Sequence, residues 1–134
     1  MQIFLSYKQS DLEKNILNNE LNYIKNIIEN TGNSIYIYYF EEQESNNSKT
    51  ILDIIKKEIH KSDLVIGLVN YNKKSEGELL ELGIAEALNK KILLLVKNEV
   101  KENYSLIYGL NCDILYYNDN SEIDILLTNY LKGK

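Results

Sequence analysis

Residues 64–69 read Leu64-Val65-Ile66-Gly67-Leu68-Val69, and residues 75–88 read Ser75-Glu76-Gly77-Glu78-Leu79-Leu80-Glu81-Leu82-Gly83-Ile84-Ala85-Glu86-Ala87-Leu88. The first run is apolar throughout, which is typical of a strand buried on both faces of a parallel sheet. The second run predicts a helix that begins with small residues and carries a carboxylate, Glu81, one turn inside it. A Ser-x-Gly entry lets a ligand approach the N–H groups of a helix start, which favour anionic or oxygen-rich groups. Gly83 and Ala85 are expected to let this helix pack closely on the sheet.

Apolar runs and helical periodicity alternate in both directions from this unit, which indicates a parallel sheet with crossover helices. Strands are predicted at five places: Gln2 to Ser6, Ser34 to Tyr39, Leu64 to Val69, Lys91 to Val96 and Asp113 to Tyr116. Besides the helix that carries Glu81, helices are predicted from Ser10 to about Gly32, from Lys49 to His60 and from Ser121 to Leu131. A loop with at most a short helix is expected between Val96 and Asp113. The predicted fold is therefore an α/β three-layer sandwich with a five-stranded parallel sheet.

Two of these helices show amphipathic patterns that can be tested. In the first, Ser10 and Glu13 form a capping box, and Gly32 is expected to end the helix. Its predicted buried stripe consists of Leu12, Ile16, Leu17, Leu21, Ile24, Ile27 and Ile28. If the helix of Glu81 is only an ordinary amphipathic helix, Glu78, Glu81 and Glu86 lie on its solvent face. Its core face would then consist of Leu79, Leu80, Leu82, Ala85, Ala87 and Leu88.

Composition limits the classes of function. The chain has 134 residues, of which 44% are hydrophobic and 26% charged, as in a single soluble globular domain covering residues 1–134. No apolar run approaches the roughly 18 residues of a membrane helix, and no signal peptide is apparent, so no membrane partner is expected. A lone cysteine, Cys112, excludes an internal disulfide, and a cytoplasmic location is the economical inference.

Charge narrows the ligands further. The net charge of -5 argues against a nucleic-acid partner, because polyanion binding needs clustered positive charge. All fifteen cationic side chains are lysines, so a phosphate would be held by lysine, hydroxyls or backbone N–H groups and not by an arginine fork. His60 is the single histidine, and without a cluster of histidines and cysteines no metal or other cofactor is expected.

The carboxyl ends of the central strands are the expected place for a ligand in an open parallel sheet. Candidate binding residues there are Ser6, Tyr7, Lys8, Tyr39, Asn70, Ser75 and Gly77, together with the carboxylate of Glu81. Several have structural alternatives at this stage. Ser6 and Tyr7 can simply end a strand, Ser75 can be a plain helix cap, and either Tyr38 or Tyr39 can be a sheet residue or a platform for a base. Asp63 precedes its strand, which favours a structural role.

The quoted unit resembles the nucleoside 2-deoxyribosyltransferase family, and within it the small deoxynucleoside 5'-monophosphate N-glycosidases. The resemblance is carried by four segments: Asp63 to Val69, Ser75-x-Gly77, Glu81 to Lys90 and Ile92 to Leu95. It implies that Glu81 attacks the anomeric carbon of the sugar. A weaker match, Ser105-Leu106-Ile107-Tyr108-Gly109, implies that Ser105 reaches the 5'-phosphate in a neighbouring subunit, and hence a homodimer or higher homo-oligomer.

This sequence departs from the family's pattern in two places. The acid that the family carries eight residues ahead of the Asp63 position would fall on Ile55, and Asp53 is two residues out of register. Glu41, Glu42 and Glu78 are the candidate replacements. The family's amino-terminal Gly-x-x-Arg-type phosphate loop is replaced by Ser6-Tyr7-Lys8-Gln9. Both departures favour NAD or another ribosylated ligand over a deoxynucleotide.

A second resemblance lies at the amino terminus. Ile3-Phe4-Leu5-Ser6-Tyr7 followed by Ser10-Asp11 resembles the opening of Toll/interleukin receptor (TIR) domains, which also place a serine six residues before a glutamate, as Ser75 and Glu81 are placed. It implies cleavage of the nicotinamide–ribose bond of NAD, or production of a signal derived from NAD in anti-phage defence. We therefore expect a flavodoxin-like domain that cleaves or transfers an N-glycosidic bond of a nucleoside, a nucleotide or NAD. A non-catalytic nucleotide sensor or assembly module is the remaining alternative.

Overall fold

The computed structural model describes residues 1–8, 14–39, 47–71, 75–103 and 107–133. Within these ranges the chain forms a five-stranded, entirely parallel sheet in the order β2-β1-β3-β4-β5. The strands are β1 (Gln2–Ser6), β2 (Ser34–Ile37), β3 (Leu64–Val69), β4 (Lys91–Lys97) and β5 (Asp113–Tyr117). The helices are α1 (Lys14–Asn30), α2 (Ser48–Lys61), α3 (Glu76–Ala87) and α4 (Asn120–Lys132). Two short 3-10 helices, Asn98–Asn103 and Ile107–Gly109, lie between β4 and β5.

The sheet lies between two helix layers, which confirms the predicted three-layer α/β sandwich. Helices α1 and α4 pack together on one face, and α2 and α3 pack together on the other. Every residue of β3 is buried, because this central strand has a strand on each side and a helix layer on each face. Its continuous apolar run is the pattern that both-face burial demands.

The strand ends differ from the predictions by one or two residues. Strand β2 ends at Ile37 and not at Tyr39, because the main chain leaves the sheet there: the Tyr38 carbonyl oxygen accepts a hydrogen bond from the Tyr7 hydroxyl (2.7 Å). Strands β4 and β5 each extend one residue further than predicted, to Lys97 and Tyr117. In these two strands the parallel pairing continues to that last residue.

Helix α1 confirms most of its predicted stripe but corrects one member. Ile16 is 52% exposed, because it lies on the outer side of the helix while five other members of the stripe are buried in the core against the sheet and α4. Gly32, with a φ of 84°, ends the helix as predicted, since its N–H reaches back to the Glu29 carbonyl. The predicted capping residues Ser10 and Glu13, and Leu12 of the stripe, lie outside the described residues.

The amino-terminal ends of the strands are tied together by main-chain and carboxylate contacts. The Asp63 carboxylate accepts a hydrogen bond from the Gln2 N–H (2.9 Å), and the Asp63 N–H donates to the Gln2 carbonyl (2.8 Å). Asp63 therefore has the structural role that its position favoured. Across the described ranges, no helix combines the length and apolar character needed to cross a membrane.

The order in which strands are added to the sheet reverses between β1 and β3. From β1 the chain moves outward to β2, and from β3 it moves the opposite way to β4 and β5. The loops that follow β1 and β3 therefore separate above the carboxyl ends of these two strands. In open parallel sheets this topological switch point is where ligands bind.

Candidate active site at the switch point

Ser6 and Glu81 meet at this switch point. Ser6 is the last residue of β1, and its side chain lies on the sheet face that α3 covers, where its hydroxyl donates a 2.5 Å hydrogen bond to Glu81 Oε1. Both side chains are buried, with 1% of Ser6 and 6% of Glu81 exposed. Two candidates of the sequence prediction are thus in direct contact, although they are 75 positions apart.

Gly67 allows helix α3 to approach the sheet closely enough for this contact. It pairs with Ser6 in the register between β1 and β3. A Cβ atom on Gly67 would lie 3.0 Å from a Leu94 methyl carbon and 3.1 Å from a Leu82 methyl carbon. The Leu82 side chain therefore rests on bare backbone, and the neighbouring turn of α3 holds Glu81 over the end of β1.

The buried face of α3 is not the one that an ordinary amphipathic helix predicts. Glu78 and Glu81 are 3% and 6% exposed, whereas Leu80 and Leu88 are 51% and 40% exposed. Glu78, Glu81, Leu82 and Ala85 form the helix's buried set. Leu82 and Ala85 pack on the sheet, so the residues one turn earlier on the same face overhang its carboxyl edge. The interpretation that put the glutamates on the solvent face is wrong for both of them.

The small residues of α3 have different roles from one another. Ala85 is fully buried and allows close packing on the sheet, as predicted. Gly83 is exposed, and a Cβ atom placed on it would have no neighbouring atom within 4 Å. The prediction that Gly83 lets the helix pack closely on the sheet is therefore wrong. Gly77 is also exposed, with open space where a side chain would lie, so a ligand can approach its backbone. Ser75 caps the helix, because its hydroxyl accepts a hydrogen bond from the Glu78 N–H (3.2 Å).

Burial changes the acid–base properties of the two glutamates. It raises the pKa of Glu81 to about 7, although the hydrogen bond from Ser6 opposes the rise. Burial raises the pKa of Glu78 well above its ordinary value, the negative charge of Glu81 adds to the rise, and the positive charge of Lys8 opposes it. Lys8 is itself buried, and its Nζ lies 5.4 Å from the centre of the Tyr71 ring. The site therefore holds two buried carboxyls with raised pKa values and one ammonium group.

A groove of about 420 Å³ leads to Glu81 between the first turns of α2 and α3. Its wall is mostly apolar, and it is formed by Ser48, Ile51, Leu52, Ile55, Glu76, Gly77, Leu80 and Glu81. Glu81 thus accepts the Ser6 hydrogen bond and also forms part of the groove wall. An apolar groove that ends on a carboxyl suits a flat, weakly polar group whose reacting atom is placed at the carboxylate.

A second polar cluster, formed by Glu20, Asn70 and Tyr117, lies beside the first. The Asn70 amide donates to Glu20 Oε1 (2.9 Å), and the Tyr117 hydroxyl donates to the same oxygen (3.4 Å). Asn70 Oδ1 is buried without a hydrogen-bond partner among the described residues. Sequence reasoning missed Glu20 and Tyr117, since α1 and β5 meet Asn70 only through the sheet order.

The remaining predicted residues are placed as follows. Tyr7 is buried in the core beneath α1 with its hydroxyl bound to the Tyr38 carbonyl, and Tyr39 is half-buried against the same core. Binding of substrate by either tyrosine stays a prediction beside these structural roles. Ser105 and the candidate acids Glu41 and Glu42 lie outside the described residues. Where the chain is described, no group of three or more potential metal ligands occurs.

Similar solved structures share this fold. One is the CMP N-glycosidase BcmB of Clostridium botulinum, at 24% identity with a TM-score of 0.77, covering 97% of this chain and 99% of that one. Another is a 2-deoxyribosyltransferase of Bacillus psychrosaccharolyticus, at 16% identity and a TM-score of 0.66, covering 92% and 90% of the two chains. A flavodoxin-like domain from Synechococcus matches at 11% identity and a TM-score of 0.58, covering 98% and 99%.

These likenesses establish the flavodoxin-like fold that the sequence predicted. No family model and no curated protein sequence matches the chain. The first two structures belong to enzymes of the kind that the α3 resemblance implied, whereas the three give no support to the TIR-like resemblance. The roles of the individual site residues are therefore argued from geometry.

Proposed function

We propose that this chain cleaves or transfers the N-glycosidic bond of a nucleoside or nucleotide, with Glu81 as the carboxylate beneath the anomeric carbon. The observation that carries the proposal is the position of Glu81. Its carboxyl is buried at the switch point, held by Ser6 and reached through an apolar groove. The overall likeness to an N-glycosidase and a deoxyribosyltransferase supports the same reaction class.

The chemistry follows from the charge that develops in the reaction. When the bond from the anomeric carbon to the base nitrogen lengthens, the sugar becomes a cation resembling an oxocarbenium ion. An ionised Glu81 next to that carbon stabilises the cation or forms a covalent ester with it. Ser6 fixes one carboxylate oxygen, so the charge is oriented before the reaction begins. Water or a second base then completes hydrolysis or transfer.

The groove between α2 and α3 has the character of a base or sugar site. Its apolar side chains, Ile51, Leu52, Ile55 and Leu80, would contact the flat faces of a ring, and the open backbone at Gly77 admits close approach. We further propose that the chain acts as one domain and as a homodimer. Ser105 of one subunit would then contact a 5'-phosphate in the site of its partner.

The test is a base-release assay on matched ligands. Wild-type protein is incubated with ribonucleosides, deoxynucleosides, their 5'-monophosphates and NAD, and the free base is separated by chromatography. Release of a purine or pyrimidine is expected. Release of nicotinamide alone would favour the reaction that the TIR-like opening implies, and binding without any release would favour a sensor.

Two variants make the assay specific to Glu81. Glu81→Gln preserves size but removes the charge, so turnover should fall by about 10²-fold or more. Glu29→Gln serves as the matched control. It removes the charge of an exposed glutamate near the end of α1, which lies at the amino-terminal ends of the strands and away from the site. Undiminished release by folded Glu81→Gln protein would refute the catalytic assignment.

A further inference from the structure

We propose that Glu78 is the proton donor to the leaving base, and so fills the role for which the sequence offered three candidates. The inference rests on the proposed function and adds a second catalytic residue to it. Glu78 lies three residues before Glu81 on α3, and residues at this spacing are neighbours on one helix face, with Cβ atoms about 5–6 Å apart. The two carboxyls therefore lie on the same side of the helix, above the ends of β1 and β3.

The environment of Glu78 is unusual for a helix glutamate. The side chain is 3% exposed, and its Oε2 atom is buried without a hydrogen-bond partner among the residues that the structure describes. Buried polar atoms in folded proteins are nearly always paired, and an unpaired one at the edge of a candidate active site calls for a functional account. If the carboxyl of Glu78 donates its proton to a base nitrogen of the substrate, the absence of a protein partner for Oε2 among the described residues is explained.

Helix capping accounts for the backbone of Glu78 but not for its buried Oε2 atom. Ser75 and Glu78 have the spacing of a capping box, in which the glutamate side chain would return to the N–H of the serine. The first half of the box is present, because the Ser75 hydroxyl accepts from the Glu78 N–H. In the second half, one carboxyl oxygen of Glu78 would accept from the Ser75 N–H; this cannot be the role of Oε2, which has no partner within the described part of the chain.

Burial, together with the charge of Glu81, favours the protonated form of Glu78, which is the form that a proton donor requires. Among the described residues, the titratable groups that face it are Glu81 on its own helix, Lys8 after β1 and Tyr117 at the end of β5. Burial and the negative charge of Glu81 both raise its pKa, and Lys8 opposes them only in part. Burial raises the pKa of Glu81 to about 7, and the charge of the ionised Glu81 carboxylate is one of the causes that raise the pKa of Glu78. Two carboxyls whose environments separate their pKa values are the arrangement that divides acid and nucleophile roles.

The proposed step conserves atoms and charge. The bond between the anomeric carbon and the base nitrogen breaks, and its electron pair stays on the nitrogen, which takes the proton of Glu78. Glu81 forms an ester bond to the anomeric carbon. Water then attacks that carbon while the Glu78 carboxylate accepts a water proton, and the Glu81 ester bond breaks. Both carboxyls return to their starting protonation states.

The leaving group provides a test that separates a proton donor from a structural residue. A natural base leaves poorly without a proton, whereas p-nitrophenolate leaves without one. We therefore compare the nucleoside that wild-type protein cleaves with the p-nitrophenyl glycoside of the same sugar, and measure the first turnover by rapid mixing. Glu78→Gln is the main variant because glutamine keeps the size of the side chain and leaves the backbone hydrogen bond to Ser75 in place, but donates no acidic proton. Glu29→Gln is again the matched control.

For Glu78→Gln we expect a loss of about 10² to 10⁴ in base release, with less than about a tenfold change in the first release of p-nitrophenolate. Glu81→Gln should lose both activities. Glu78→Asp, which keeps an acidic proton, should retain part of the base release even if the glutamine variant proves unstable. Equal losses of Glu78→Gln on the two substrates, or no loss on either, would overturn the assignment of Glu78 alone. Absence of base release from wild-type protein would instead overturn the proposed function together with this inference.

Discussion

Replacing Glu81 with glutamine should make the protein inactive and, above neutral pH, more stable. The fold raises the pKa of Glu81 from 4.5 to about 7, mainly through burial. Each pH unit between these two values corresponds to about 1.4 kcal/mol of free energy. Holding Glu81 ionised in the folded protein therefore costs about 3 kcal/mol relative to the unfolded chain, a cost that glutamine does not carry.

The way in which the free energy of unfolding changes with pH follows from proton binding in the folded and unfolded chains. Below about pH 4.5 the Glu81 carboxyl holds its proton in both the folded and the unfolded chain, so ionisation does not change the free energy of unfolding. As pH rises from 4.5 to about 7, the unfolded chain releases the proton while the folded chain keeps it. Wild-type stability falls through this window and then levels off. Glu81→Gln should follow the wild type at pH 4 and exceed it by up to about 3 kcal/mol at pH 8.5.

The measurement is thermal or urea unfolding followed by circular dichroism at pH 4, 6, 7 and 8.5. For a chain of 134 residues, a gain of this size raises Tm by about 10 °C. Glu29→Gln removes an equal but exposed charge and should show no comparable dependence on pH. A Glu81→Gln protein whose stability relative to wild type is the same at pH 4 and pH 8.5 would refute the reasoning, because the carboxyl would then carry no ionisation cost.

Three further substitutions test neighbouring contacts. Ser6→Ala removes the hydrogen bond that lowers the pKa of Glu81, so the acidic limb of kcat/KM against pH should move to higher pH; an unmoved limb would show that the bond does not control ionisation. Lys8→Met removes the charge that lowers the pKa of Glu78, and the alkaline limb should likewise move to higher pH; a shift to lower pH would contradict this assignment. Gly67→Ala places a methyl group 3.0 and 3.1 Å from two leucine side chains, and urea unfolding should show a loss of about 1 to 3 kcal/mol; a stability equal to wild type would mean that α3 can move away without cost.

The sheet was largely predictable because helix layers cover both of its faces, which leaves a plain apolar signature in the sequence of each central strand. Parallel strands under two helix layers need continuous apolar runs, and Leu64 to Val69 and Ile92 to Val96 are such runs. Strand ends were less predictable. They depend on where pairing stops, and at Tyr38 the carbonyl oxygen accepts a hydrogen bond from the hydroxyl of Tyr7, the residue after β1.

The sequence named Ser6 and Glu81, which the fold brings into contact, but its pattern was misleading about the rest of α3. Glu81 follows from the resemblance, but the burial of Glu78 does not follow from helical periodicity. An average over the helix places glutamates outside and leucines inside, whereas here Leu80 is half exposed and Glu78 almost fully buried. The deciding factor is where α3 lies along the sheet: its first turn extends past the carboxyl edge, so the face that continues the core becomes the wall of the site.

The polar cluster of Glu20, Asn70 and Tyr117 shows a different reason for failure. Asn70 is 50 positions from Glu20, and Tyr117 is 97 positions from Glu20, so no local pattern relates them. The order β2-β1-β3-β4-β5 brings the ends of β3 and β5 to the same edge of the sheet as the start of α1. A sequence can indicate that parallel strands exist, but the side chains that meet above them depend on the order in which the strands pair.

The stability cost of Glu81 and its proposed role are connected by the same charge. In the unbound protein, the buried carboxylate has a serine hydroxyl as its hydrogen-bond donor and no sugar cation to balance it. An oxocarbenium-like sugar supplies the missing positive charge only as the glycosidic bond breaks, so the interaction is stronger in the transition state than in the ground state. Activity should therefore rise as pH approaches and passes about 7, where the folded carboxyl loses its proton and the fall in wild-type stability ends. A carboxyl that is kept buried at a cost in stability above its ordinary pKa, and whose ionisation in the folded protein permits bond cleavage, is what this mechanism requires of Glu81.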